Sequence, residues 1–125
     1  MNKIEQQLKD IYTNAGDKLS ELVKLYVEVE ELMHSDAEYS KKMACYEKTI
    51  NNLSVGATIE KNTEEEISKV CDSKTRKEVL ENNQDVKDAY NYYLWQKEEV
   101  DYMLPHAKGA LDVFARDMNV EELAK

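Results

Sequence analysis

The chain holds only two histidines and two cysteines, so the chemistry open to it is narrow. His34 closes a Glu31-x-x-His34 pair of the kind that di-iron bundles use in two facing copies. The other histidine, His106, has Met103 three residues before it instead of a carboxylate. The second half of such a site is missing, and Glu31 and His34 read as a surface carboxylate–imidazole pair. Cys45 and Cys71 have no metal-type spacing and no histidine beside them. They read as half-buried small hydrophobes in a reducing cytosol, with one disulfide between two helices as the alternative. No Ser/His/Asp or Cys/His set is suggested, and no glycine-rich phosphate loop is present. The expectation is a non-enzymatic protein with no catalytic residue, no metal and no cofactor.

What remains is binding. The formal net charge is −9, which repels a bare phosphate backbone unless the cations cluster. Two modest basic groups exist, Lys41, Lys42 and Lys48 in one, and Lys74, Arg76 and Lys77 with Lys69 in the other. Each is interleaved with acids, as a solvated helix face would be, and together they could form a phosphate-tracking strip only where their segments meet. The carboxylates offer the opposite chemistry. Glu64, Glu65, Glu66, Glu98, Glu99 and Asp101 could imitate a row of phosphates on rigid helices. The stretch AYNYYLWQK (89–97) adds three tyrosines and the chain's only tryptophan. Tyr90 and Tyr93 fall on the apolar stripe of a helix and are expected to be core. Tyr92 and Trp95 begin a neighbouring line that continues through Glu99, Tyr102 and His106, part aromatic and part polar. That composition suits a contact surface, with Tyr92, Trp95 and Tyr102 as its anchors; base stacking is the other use of such rings.

The elements that must carry these groups are helices. Three glycines and one proline in 125 residues leave few turns, and a chain of this length makes one domain. Ile4, Leu8, Ile11 and Tyr12 predict a short N-terminal helix over about 2–12, ended near Asn14-Ala15-Gly16, with Asp17 as the next N-cap. Leu19, Leu22, Tyr26, Val29, Met33, Met43 and Ile50 predict a long helix over about 18–53, with a local break possible near His34-Ser35-Asp36. Thr63 and Glu66 have capping-box spacing and predict a short middle helix over about 64–80. Val86, Tyr90, Tyr93, Val100, Leu104, Ala107, Leu111, Phe114 and Met118 predict a last helix over about 86–118, kinked at Pro105, with a frayed tail over 120–125. The expected fold is all-α: a long antiparallel helical hairpin with a short middle helix and a short N-terminal helix. One hairpin leaves much of both stripes uncovered, so homo-oligomerisation is expected. No apolar run approaches a membrane span and Met1-Asn2-Lys3 leads into no signal-peptide core, which predicts a cytoplasmic protein with no membrane partner.

In layout the chain resembles the UvsY-type recombination mediators of tailed phages. The features that carry the likeness are VLENNQDV (79–86), the pair Tyr92-Tyr93 and GALDVFAR (109–116), and it extends over about 37–118. The resemblance implies an oligomer that holds single-stranded DNA and helps a recombinase displace a single-strand-binding protein, in the cytoplasm of a bacterial host. In that family the DNA contacts come from basic residues near the end of the first long helix. This sequence has Thr49-Ile50-Asn51-Asn52 there, with Lys48 beside them.

Three functional expectations follow. One is a mediator-like accessory protein acting on single-stranded DNA or its bound proteins. Another is an acidic helical inhibitor of a host nuclease or defence complex. The third is a scaffold hairpin.

Overall fold

In a computed structural model of the chain, residues 1–124 are described in backbone and residues 1–118 in side chain; the tail expected to fray, 120–125, is helical in backbone as far as Ala124. Five helices follow one another: α1 (Lys3–Met33), α2 (Tyr39–Ile50), α3 (Val55–Val70), α4 (Ser73–Asn82) and α5 (Gln84–Ala124). The architecture is all-α and built from helical hairpins, as the spacing predicts. How the segments join differs from expectation at four places, each for a local reason.

The first is at the N-terminus, where α1 runs unbroken through Asn14-Ala15-Gly16. Leu8, Tyr12, Ala15, Leu19, Leu22, Tyr26 and Val29 form one buried stripe at alternating three- and four-residue steps. That continuous apolar seam outweighs the weak helix propensity of a single glycine. Asp17 is therefore mid-helix, and the N-cap is Asn2, which exchanges hydrogen bonds with Glu5 in a capping box.

The second is at residues 34–38, where the chain breaks at the place the sequence allowed, near His34-Ser35-Asp36, but turns back on itself and does not resume the same axis. The Ser35 hydroxyl donates to the Leu32 carbonyl at 2.7 Å and accepts from the Ala37 amide. A serine that satisfies backbone groups locally competes with helix continuation. The expected helix over 18–53 is thus two helices in a hairpin. The return arm lies against α1 in falling order. Lys42 reaches the Met33 carbonyl, the Tyr26 hydroxyl donates to the Asn52 carbonyl, and Gly56 sits against Leu22.

The third difference concerns Thr63, which does not cap a helix. It is buried in the middle of α3 and its hydroxyl donates to the Ile59 carbonyl at 2.7 Å. The segment expected as one middle helix over 64–80 is divided at Cys71-Asp72, and Asp72 caps α4 by accepting from the Thr75 amide at 2.8 Å. That hydrogen bond holds the Asp72 carboxyl below the usual carboxylate range.

The fourth follows from the others. Residue numbers rise together along α1 and α5: Asn83, just before α5, donates to Glu5 at 2.8 Å, Tyr12 meets Tyr90 and Tyr93, and Glu30 meets His106. The two long helices are parallel. They are the first and third members of an up-down-up arrangement whose descending arm is α2, α3 and α4. The antiparallel partner of each long helix is that arm. It covers part of the stripes that a two-helix hairpin would have left bare.

Along α5, Val86, Ala89, Tyr93, Gln96, Val100, Ala107, Ala110, Leu111 and Phe114 are buried, and the helix continues through Pro105. Each fully buried Leu or Val contributes about 1.5–3 kcal/mol of transfer free energy. Both cysteines are free and half-buried.

Candidate functional site

Helix α5 carries a surface that its own core does not use. Trp95 and Tyr102 are 60% and 65% exposed. Seven residues apart, they stand on one face about 10 Å from each other along the axis. Glu98 and Glu99 lie between them, three and four residues from each ring, so the four side chains form a single diamond of two aromatics and two carboxylates. Glu98 is exposed and Glu99 half-buried. Below Tyr102 the line continues to His106, whose ring lies 5.0 Å from the tyrosine ring and whose Nδ1 is 3.6 Å from a Glu30 carboxylate oxygen on α1. A third carboxylate thus joins the acidic side of the patch. Asp101 is exposed on the flank of α5 that faces α3, where it adds negative potential to the Glu60 carboxyl. Burial pushes that Glu60 carboxyl up, and Lys97 opposes the shift.

Tyr92 does not belong to the open surface. It is half-buried over Gly16, and its hydroxyl donates to Asp17 at 2.7 Å. That hydrogen bond to an anion pushes the Tyr92 phenol up. Tyr92 fastens α5 to α1 at the point where the glycine makes room for its ring, a role for Gly16 that sequence spacing alone does not show. Tyr93 is buried and Tyr90 half-buried, and both rings pack on Tyr12 at 5.8 and 5.1 Å. They belong to the core seam, as their spacing predicts.

No protein-family model, curated protein or solved structure matches the chain. The site is therefore read from its own geometry.

That geometry keeps the two basic groups apart. Lys41, Lys42 and Lys48 are on α2, beside the C-terminal half of α1, while Lys74, Arg76 and Lys77 are on α4, beside its start. Lys42 is half-buried with its ammonium on the Met33 carbonyl at 3.3 Å, where it caps α1. Arg76 is held by Glu64 in a two-pronged ion pair at 2.8 and 3.2 Å. Lys41, Lys48, Lys74 and Lys77 are exposed. The structure does not bring the two groups into one strip. The candidate acids are divided as well: Glu65 and Glu66 are exposed on α3, Glu64 is engaged by Arg76, and Glu98, Glu99 and Asp101 are on α5. Among the described residues, no three His, Cys, Asp or Glu side chains are grouped as metal ligands would be, and no helix is long and apolar enough to cross a membrane.

Proposed function

We propose that this is a non-enzymatic helical binding module that engages a basic partner protein through the aromatic–acidic face of α5. The partner surface is of the kind that itself grips nucleic acid, which makes the protein an acidic inhibitor or competitor in the broad sense. One observation carries the reading: two exposed aromatic rings flank two carboxylates in one diamond. A guanidinium or ammonium entering it meets ring faces and carboxylates together, and both attract it. A phosphate entering the same place meets Glu98 and Glu99 and is repelled, which disfavours base stacking there. The net charge of −9 steers a basic partner toward the protein at long range. A mediator-like role on single-stranded DNA calls for a continuous cationic track, and the separation of the two lysine groups supplies none within one chain.

Trp95 is the chain's only tryptophan, so its emission reports on the patch directly. Titration with an arginine-rich peptide is expected to change Trp95 emission saturably, with affinity falling as salt rises. A single-stranded oligonucleotide is expected to leave it unchanged. The paired variant W95A/Y102A is expected to weaken peptide binding, read by anisotropy of a labelled peptide, roughly tenfold, two exposed cation–π contacts at about 0.5–1 kcal/mol each. Fold stability is expected to stay within about 0.5 kcal/mol, because both side chains are on the surface. Binding of the oligonucleotide but not the peptide would overturn the proposal.

A further inference from the structure

A second site lies at the other end of the bundle, between α4 and α5. There the chain encloses an open groove of ≈ 410 Å³. Its charge is opposite to that of the protein: Arg76, Lys77 and Lys87 line it with one acid, Glu81, and Glu64 is paired to Arg76, which leaves a small net positive charge. Leu80 and Tyr90 give it an apolar wall, and Ser73 adds a hydroxyl at its edge. In a chain with 26 acidic and 17 basic side chains, three cations on one small concavity are a local reversal.

The central cation is held in place. The Arg76 side chain is 25% exposed and fixed by its two-pronged contact with Glu64. Its guanidinium lies over the Tyr12 ring, 6.0 Å from the centroid, and the same ring meets Tyr90 edge-on at 5.1 Å. A guanidinium has five N–H donors, and Glu64 takes two of them. Tyr12 is a further hydrogen-bond neighbour of the guanidinium, and the guanidinium is presented to the groove without the cost of ordering a free side chain. We infer that this groove is a binding site for a small organic anion, a phosphate monoester or carboxylate with a compact aromatic or aliphatic body. The anionic end meets Arg76, Lys77 and Lys87, while the body lies on Leu80 and Tyr90. The volume is in the range of small-molecule sites. This site is independent of the α5 patch and stands or falls without it.

Phenyl phosphate is the probe, followed by amide and side-chain chemical shifts on isotopically labelled protein. Saturable shifts are expected at residues 73–77, 80, 87 and 90. Inorganic phosphate is expected to bind at least tenfold more weakly, because it leaves the apolar wall bare. Lys77 and Lys87 are exposed, so K77E/K87E keeps the fold and is expected to weaken phenyl phosphate at least tenfold. R76M is expected to weaken it by a similar factor, and W95A not at all. Equal binding of the two phosphates would refute the groove, as would shifts spread evenly to Lys41, Lys48 and Lys108. Undiminished affinity of folded K77E/K87E would do the same.

Discussion

Substitution of Gly16 by alanine tests the contact between α1 and the Tyr92 ring of α5. A methyl group at that position would lie 2.5 and 2.6 Å from Cε2 and Cδ2 of Tyr92 and 3.3 Å from its Cζ. Such distances are well inside van der Waals contact, so the ring has to move. It is not free to do so, because its hydroxyl is anchored on Asp17 at 2.7 Å. Overpacking of this kind costs about 1–3 kcal/mol, and the displaced hydrogen bond to a carboxylate adds to that. Against it, alanine gains about 0.8–1 kcal/mol over glycine inside a helix. The expected net effect of G16A is a loss of about 1–2 kcal/mol, measured as a lower urea midpoint at unchanged slope. With the ring removed the clash disappears, so in a Y92A background the same change is expected to stabilise by about 0.5–1 kcal/mol. The sign reversal between the two backgrounds is the test. If G16A stabilises the protein with Tyr92 present, the ring yields at no cost, and this contact is not what joins α1 to α5.

Two further outcomes are expected. The Tyr12 hydroxyl is fully buried and, among the described residues, makes no hydrogen bond of good geometry, the Arg76 guanidinium being its polar neighbour, so Tyr12→Phe removes a weakly satisfied group while keeping the ring; equilibrium unfolding is expected to change by no more than about 1 kcal/mol. Burial pushes the phenols of Tyr12 and Tyr93 up to about 12, from an ordinary value of 10.0. Folded-state values above the unfolded one give stability that is complete below pH 10 and lost as the pH rises from 10 toward 12, so circular dichroism and tyrosinate absorbance are expected to change together in that window, and tyrosinate appearing in full before any loss of helix would refute it.

The parts of this protein that were legible in the sequence share a physical basis: they depend on side-chain periodicity along one helix. The seam of α1 from Leu19 to Val29 and that of α5 from Val86 to Phe114 were visible because a buried face repeats every three or four residues whatever it packs against. The line Trp95, Glu99, Tyr102 and His106 was visible for the same reason. Local hydrogen-bonding signals were less dependable, because one side chain has several possible uses. Thr63 and Glu66 have capping-box spacing, yet Thr63 is buried mid-helix and bonds Ile59. Asp17 has the character of a cap and instead receives the Tyr92 hydroxyl. Asp72, which does cap a helix, was hidden within an apparently continuous periodic segment.

By itself, then, the sequence determined that the chain is helical, which faces are apolar, and that an aromatic line borders acids on the last helix. Only tertiary structure decided which helices pair and in which direction. The chain reverses at the Ser35 turn, where α1 ends at Met33 and not near residue 53, and that exchanges an antiparallel partner for a parallel one without altering any stripe. Tertiary structure likewise separated Tyr92 from Trp95. Both begin the same helical line, but Gly16 on α1 leaves room for one ring to bury, while the other remains 60% exposed. It also placed Lys41 and Lys48 far from Lys74 and Lys77, because the descending arm lays α2 and α4 along different ends of α1. Spacing along a chain records what one helix can present; distance between helices is set by how they pack.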